Sequence, residues 1–127
     1  MGQQQLLLIV LGVIIVGIAV VVGINLFNAN ATNANRDGVI SDLNNLGAMA
    51  QQFYKKPTSM GGGGNTFTGW TIPTGLDATA NGTYVATPAA QTVSIAGLGT
   101  EIGNDGTAVV GATATVTPIT ITVAVTN

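Results

Sequence analysis

The chain has 127 residues, a length that suits one compact domain with one appended element. Only 6% of the residues are charged, against roughly a quarter in an ordinary soluble domain, so we expect a surface that is largely covered by copies of the same chain. The net charge is −2 and the chain has no histidine and no cysteine, so we expect no nucleic-acid site, no enzyme activity, no catalytic residue and no cofactor.

The first 24 residues are predicted to form an apolar helix. An unbroken apolar run extends from Leu6 to Ile24. At about 1.5 Å per residue, this run just spans a hydrocarbon core of about 30 Å. Three glutamines precede it and no charge occurs before Arg36, which differs from the basic start of a secretory signal peptide. We therefore predict a transmembrane or filament-core helix over residues 1–24.

Residues 25–57 are predicted to continue the same helix with one apolar face. Apolar residues recur at three- and four-residue steps, which is the helical period: Val39, Ile40, Leu43, Leu46, Gly47, Ala50, Phe53 and Tyr54. Lys55 suits the negative end of the helix dipole, and Pro57 disfavours helix at the residue before it. The pattern predicts a single helix from about Gln3 to about Lys55.

The sequence after residue 57 predicts a glycine-rich linker and a small β domain. The run Gly61–Gly64 lies in the linker, residues 58–65. Residues 66–127 form the head domain, in which Asn81-Gly82 is a hairpin signal. The predicted strands are Thr66–Ile72, Thr83–Thr87, Thr92–Ala96, Thr107–Val110, Thr113–Thr117 and Ile119–Val125, the last with Ile119, Ile121, Val123 and Val125 on one face. We expect the α+β class, with the amphipathic half of the helix packed on an antiparallel sheet.

This pattern resembles a type IV pilin of the bacterial type. The shared features are one apolar first residue followed by a few polar ones, a charge-free helix with an amphipathic continuation, and a β head domain. The resemblance implies that prepilin peptidase removes a basic leader and leaves Met1 as the processed, methylated N-terminus. Gln5 then stands where most bacterial pilins carry a glutamate that pairs with a neighbour's terminal amine. In a second register, cleavage follows Gly2, so that Gln3 leads and Leu7 takes the glutamate position.

The resemblance also implies a function as the subunit of a homopolymeric cell-surface filament. Its partners would be copies of itself, the pilus assembly machinery and, before assembly, the inner membrane. Neighbouring subunits would meet at Met1, Gln3, Gln4 and Gln5. The filament core would contain Leu6, Leu7, Ile9, Val10, Val13, Ile14, Val16, Ile18, Val20, Val21 and Ile24. A pseudopilin of a secretion system and a single-span, membrane-anchored binding module are the alternatives.

Several residues are candidates for smaller roles. Gly17 and Gly23 mark a stretch where the helix could loosen in the filament, although glycine is also simply common in membrane helices. Turn-borne oxygens at Glu101, Asn104 and Asp105 are candidate calcium ligands, but an ordinary turn explains the same residues. Asn81 begins the sequon Asn-Gly-Thr and is a candidate glycosylation site.

Overall fold

The computed structural model describes residues 2–127 and has an α+β fold, as the sequence predicts. Its elements are α1 (Gly2–Lys55), a single 3-10 turn (Thr58–Met60), and strands β1 (Ala78–Thr79), β2 (Gly82–Pro88), β3 (Val93–Ile102), β4 (Val109–Val116) and β5 (Ile121–Val125). The observed helix agrees with the predicted one to within a residue at each end. A long N-terminal helix packed against a small antiparallel sheet is a pilin-like architecture.

The chain divides into two compact units between Ala31 and Thr32. The first unit consists of α1 up to Ala31 and includes the apolar run. The second unit, Thr32–Asn127, contains the remaining helical residues and the whole sheet, and it has its own hydrophobic core.

The sheet is a simple meander in which each strand is antiparallel to the next, in the order β1-β2-β3-β4-β5. Its register aligns one row of hydroxyl side chains across four strands. Thr87 pairs with Ser94, Ser94 with Thr115, and Thr115 with Thr122. All four residues are exposed, because alternate residues of a strand face away from the core. The outer face of the sheet is therefore rich in uncharged hydroxyls.

The core of the second unit forms where the amphipathic stripe of α1 meets the inner face of the sheet. Val39, Leu43 and Ala50 are fully buried, as the helical period predicts. They pack in one cluster with Phe67, Trp70, Tyr84, Val93, Ile95, Ala112, Ala114 and Val116. Gly47 lies on the same stripe, and a Cβ there would come within 3.0 Å of Ile121 Cδ1. The helix consequently approaches β5 closely at this glycine.

The glycine-rich segment closes the C-terminal end of the helix. The backbone N–H of Gly63 donates to the carbonyl of Phe53 at 2.8 Å, and that of Asn65 donates to Tyr54 at 2.8 Å. These carbonyls belong to the last helical turn, where no later N–H group of the helix is available to donate to them. A Cβ on Gly62 would collide with the carbonyl of Lys56, so the close return of the chain requires glycine there.

The strand predicted at Thr66–Ile72 is wrong, because this segment is irregular. Phe67 and Trp70 are both buried, and the N–H of Trp70 donates to the carbonyl of Phe67 at 3.0 Å. A three-residue spacing with both rings on the core belongs to a turn, whereas strand residues on one face are two apart. Gly69, at φ +86°, supplies the left-handed conformation within this turn.

The strands near the C-terminus differ in their bounds from the prediction. Residues 107–110 and 113–117, predicted as two strands, contribute to the single strand β4. Strand β5 begins at Ile121, so Ile119 lies in the preceding turn and is 86% exposed. Of the other residues predicted on that face, Ile121 and Val123 pack against the core, whereas Val125 is 46% exposed.

Candidate functional site

The first half of α1 presents a long apolar surface that the chain itself leaves uncovered. Fifteen Leu, Ile and Val side chains between residues 6 and 24 are each 51–69% exposed. They are Leu6, Leu7, Leu8, Ile9, Val10, Leu11, Val13, Ile14, Ile15, Val16, Ile18, Val20, Val21, Val22 and Ile24. Because successive residues of a helix are rotated by about 100°, this set surrounds the helix on every side. We call it the apolar segment.

The apolar segment has the length and composition of a membrane-spanning helix. Within the described chain, α1 is the one helix that is long and apolar enough to cross a bilayer, and none of its most apolar window is buried. Burying a side chain of this size is worth roughly 1.5–3 kcal/mol, so exposure of the whole set to water costs on the order of 20 kcal/mol or more. The segment therefore requires lipid or other protein around it.

The glutamines predicted to contact neighbouring subunits lie at the start of the helix. Gln3, Gln4 and Gln5 occupy the first turn of α1 and are exposed. The first backbone N–H groups of any helix lack an intrahelical acceptor, and these amides are the nearest polar side chains to them. Met1, the predicted processed N-terminus, lies outside the described residues.

Three glycines interrupt the apolar side chains without interrupting the helix. A Cβ at Gly12, Gly17 or Gly23 would meet nothing within 4 Å, so nothing in the chain itself requires glycine there. Loosening at Gly17 and Gly23 concerns the assembled state and stays a prediction. Counted at about 100° per residue, one face of the helix carries three small residues, with Ala19 and Gly23 each about 20° from Gly12 around the axis. The sequence did not predict this stripe, because only the glycines were considered.

In the second unit, a buried asparagine ties α1 to the sheet. Asn35 is 9% exposed, and its side-chain amide uses both donors and its acceptor oxygen. The Nδ2 group donates to the carbonyl of Asn81 at 2.8 Å and to Thr100 Oγ1 at 3.2 Å. Its Oδ1 accepts from the backbone N–H groups of Thr100 at 3.0 Å and Glu101 at 3.2 Å. We call this set the Asn35 clamp.

A bulge in β3 explains why the Asn35 clamp exists. Leu98 pairs with Gly111 and Ile102 with Val109, so three residues of β3 face one residue of β4. Such a bulge leaves backbone groups without ladder partners. Asn35 Oδ1 accepts from two of them, and Gly99 makes room, since a Cβ there would collide with that oxygen.

Asp42 is the centre of a second polar cluster. Its Oδ2 accepts hydrogen bonds from Tyr84 Oη at 2.6 Å, Thr79 Oγ1 at 2.8 Å and Asn81 Nδ2 at 3.1 Å. Burial alone would raise the pKa of Asp42, but the three hydrogen bonds together lower it below its ordinary value. Burial, followed by the bond to Asp42, raises the pKa of Tyr84. The carboxylate is therefore ionised at neutral pH, and its three hydrogen-bond partners are uncharged.

The candidate calcium ligands lie in the exposed turn between β3 and β4. Asp105 Oδ1 accepts from the backbone N–H groups of Thr107 and Ala108, each at 2.9 Å, and these bonds lower the pKa of Asp105. Asn104 Oδ1 accepts from Arg36 Nη2 at 2.8 Å. Glu101 is exposed at the end of β3. Two of the three candidate oxygens thus already have protein donors.

The candidate glycosylation site lies in the turn between β1 and β2. Asn81 is half-buried, its Nδ2 donates to Asp42, and its carbonyl accepts from Asn35. A Cβ on Gly38 of α1 would lie 2.5 Å from Asn81 Oδ1, so the side chain rests on the helix. Glycosylation of Asn81 stays a prediction, and it would have to accommodate these contacts.

Residues 2–127 contain no group of three His, Cys, Asp or Glu side chains placed to hold a metal ion. The uncovered apolar segment is the candidate functional surface. Comparisons of the chain with protein-family models, with characterised proteins and with solved structures found no match.

Proposed function

We propose that this chain is the structural subunit of a homopolymeric, type IV pilus-like filament on the cell surface. One observation carries the proposal: fifteen large apolar side chains surround the first half of α1, and the chain itself covers none of them. The continuation of the same helix already has its own partner, because its apolar stripe is buried on the sheet.

The all-round distribution of the apolar side chains favours several neighbours over one. A single partner helix covers one stripe, as in a coiled coil, and leaves the remaining faces in water. A bundle of identical helices surrounds each segment, and a bilayer does so before assembly. Identical subunits related by a screw operation form an open filament and not a closed ring.

Features of the helix surface support close packing among copies. No charged side chain precedes Arg36, so no side-chain charge enters the bundle. Gly12, Ala19 and Gly23 allow close approach of a neighbouring helix, as small residues do in membrane helix pairs. Gln3, Gln4 and Gln5 offer neutral donors and acceptors to the helix start of an adjacent subunit. In the first cleavage register, Met1 would join them as the processed N-terminus.

A single-span anchor for the second unit is the alternative from another class. The length of the apolar segment, about one bilayer thickness, supports this reading equally well. A pseudopilin would use the same segment in a shorter assembly. The three readings differ in what leaves the cell on shearing, and in how long the released filaments are.

The test compares two valines of equal exposure. Val13 in the apolar segment is 67% exposed and Val85 on the sheet is 66% exposed. We expect Val13→Asp to abolish filaments in electron micrographs of sheared material, because the charge would be buried in the bundle. Val85→Asp should leave them unchanged. If wild-type protein stays with the membrane as a monomer after shearing, the filament proposal fails and the anchored module takes its place.

A further inference from the structure

A pocket of about 310 Å³ lies along the flank of α1 in the second unit. Asp42 lines it, and its other walls include the apolar side chains of Leu46, Met49 and Leu76. The hydrogen bonds to Asp42 all end on Oδ2, and no cationic side chain of residues 2–127 is among the carboxylate's partners. An ionised carboxylate with apolar walls beside it fits a cation on an aliphatic stem, which is the chemistry of lysine.

The chain has three cationic side chains, and within residues 2–127 two of them make no hydrogen bond that would keep them from such a contact. The guanidinium of Arg36 donates to Asn33 Oδ1 at 3.1 Å and to Asn104 Oδ1 at 2.8 Å. Lys55 and Lys56, at the end of α1, are exposed. The lysines are therefore the cations available to another copy.

The positions of the two lysines around the helix distinguish them. Counted at about 100° per residue, the residues of α1 that line the pocket span an arc from Leu46 to Ala48. Lys56 lies inside this arc, about 40° from Asp42, whereas Lys55 lies about 140° from Asp42, just beyond Ala48. Head-to-tail assembly joins two different patches of the subunit, so the donor and the acceptor must face different neighbours. Lys55 meets this condition, and it lies about 20 Å farther along the helix axis than Asp42.

We propose that the pocket beside Asp42 receives the Lys55 side chain of a second copy, shifted by about 20 Å along the helix axis. The ammonium would pair with the Asp42 carboxylate while the lysine stem packs on Leu46 and Met49. This contact rests on the proposed filament function, since it requires parallel copies side by side. It sets the axial stagger between the subunits that it joins.

Cysteine cross-linking tests the contact directly, because the chain has no cysteine of its own. Asn45 is exposed and lines the pocket, whereas the adjacent Asn44 is exposed but does not line it. We expect sheared filaments of the double variant Asn45→Cys/Lys55→Cys to give a ladder of disulfide-linked oligomers on a non-reducing gel. The matched control Asn44→Cys/Lys55→Cys should run as monomer.

Charge reversal gives a second readout, in which Lys55 and Lys56 are matched because both are exposed at the end of α1. We expect Lys55→Glu to lower filament yield about tenfold, a loss at the lower end for close charge pairs across interfaces. Lys56→Glu should remain near wild type. Intact filaments without the disulfide ladder overturn the contact and leave the filament proposal standing. If the double cysteine variant does not assemble, equal filament yields of Lys55→Glu and Lys56→Glu overturn the proposed contact. Absence of filaments from the wild-type protein would instead refute the proposed function itself.

Discussion

Replacing Asn35 with alanine tests whether the Asn35 clamp holds the helix to the sheet. The substitution removes four hydrogen bonds of 2.8–3.2 Å and leaves the N–H groups of Thr100 and Glu101 without an acceptor. A net hydrogen bond is worth about 1 kcal/mol, so four are worth about 4 kcal/mol, and alanine returns about 0.7 kcal/mol as the better helix former. The expected loss in the free energy of unfolding is therefore about 3 kcal/mol.

The assay is thermal unfolding of the full chain in detergent, followed by near-UV circular dichroism of the buried Trp70 and Tyr84. For a domain of this size, about 3 kcal/mol corresponds to a fall in Tm on the order of 15 °C. Asn33→Ala is the matched control. It has the same gain in helix propensity, but Asn33 is exposed and bonds only to Arg36. Equal melting temperatures for the two variants would refute the assignment of the clamp.

The pKa of Asp42 in the folded protein lies below its ordinary value of 3.8. The stabilisation that the ionised Asp42 carboxylate gives to the folded state is therefore complete above pH 3.8 and is lost as the pH falls through the folded pKa. The Tm of the wild type should therefore fall more steeply with acid than that of Asp42→Asn, measured from pH 7 to pH 3. Gly47→Leu should destabilise the second unit by about 1–3 kcal/mol in the same unfolding assay, because its side chain would displace Ile121. An unchanged Tm would contradict that close approach. Gly23→Leu should reduce filament number in electron micrographs more than Gly17→Leu does, because only Gly23 lies on the face shared with the other small residues. Leucine is the better helix former, so equal and undiminished filament numbers would exclude close packing at that face.

The helix was predictable because its signals are local. The apolar run, the stripe of period 3.6 and Pro57 depend on residues a few positions apart, and the observed helix ends at Lys55. The buried positions Val39, Leu43 and Leu46 follow from the same period. Among residues 2–127, α1 is the one helix of that length and hydropathy, so there is no second such helix to cover residues 6–24.

The polar contacts were not predictable, because they depend on distant parts of the chain. Nothing local separates Asn35 from Asn28, Asn30 or Asn33, which are exposed on the same helix. Its role arises from the bulge in β3, more than 60 residues away, whose N–H groups need an acceptor. Likewise, aromatic content favoured a strand around Phe67, whereas core packing through a turn determined the backbone there.

The row of hydroxyls on the outer face of the sheet has a consequence for how this surface is hydrated in different solutions. The exposed hydroxyls of this row are Thr87, Ser94, Thr115 and Thr122. They offer water neutral donors and acceptors, which carry no charge for dissolved ions to screen and do not titrate at ordinary pH. The wetting of this face is consequently the same in fresh water and in brine, and in mildly acidic and mildly alkaline surroundings.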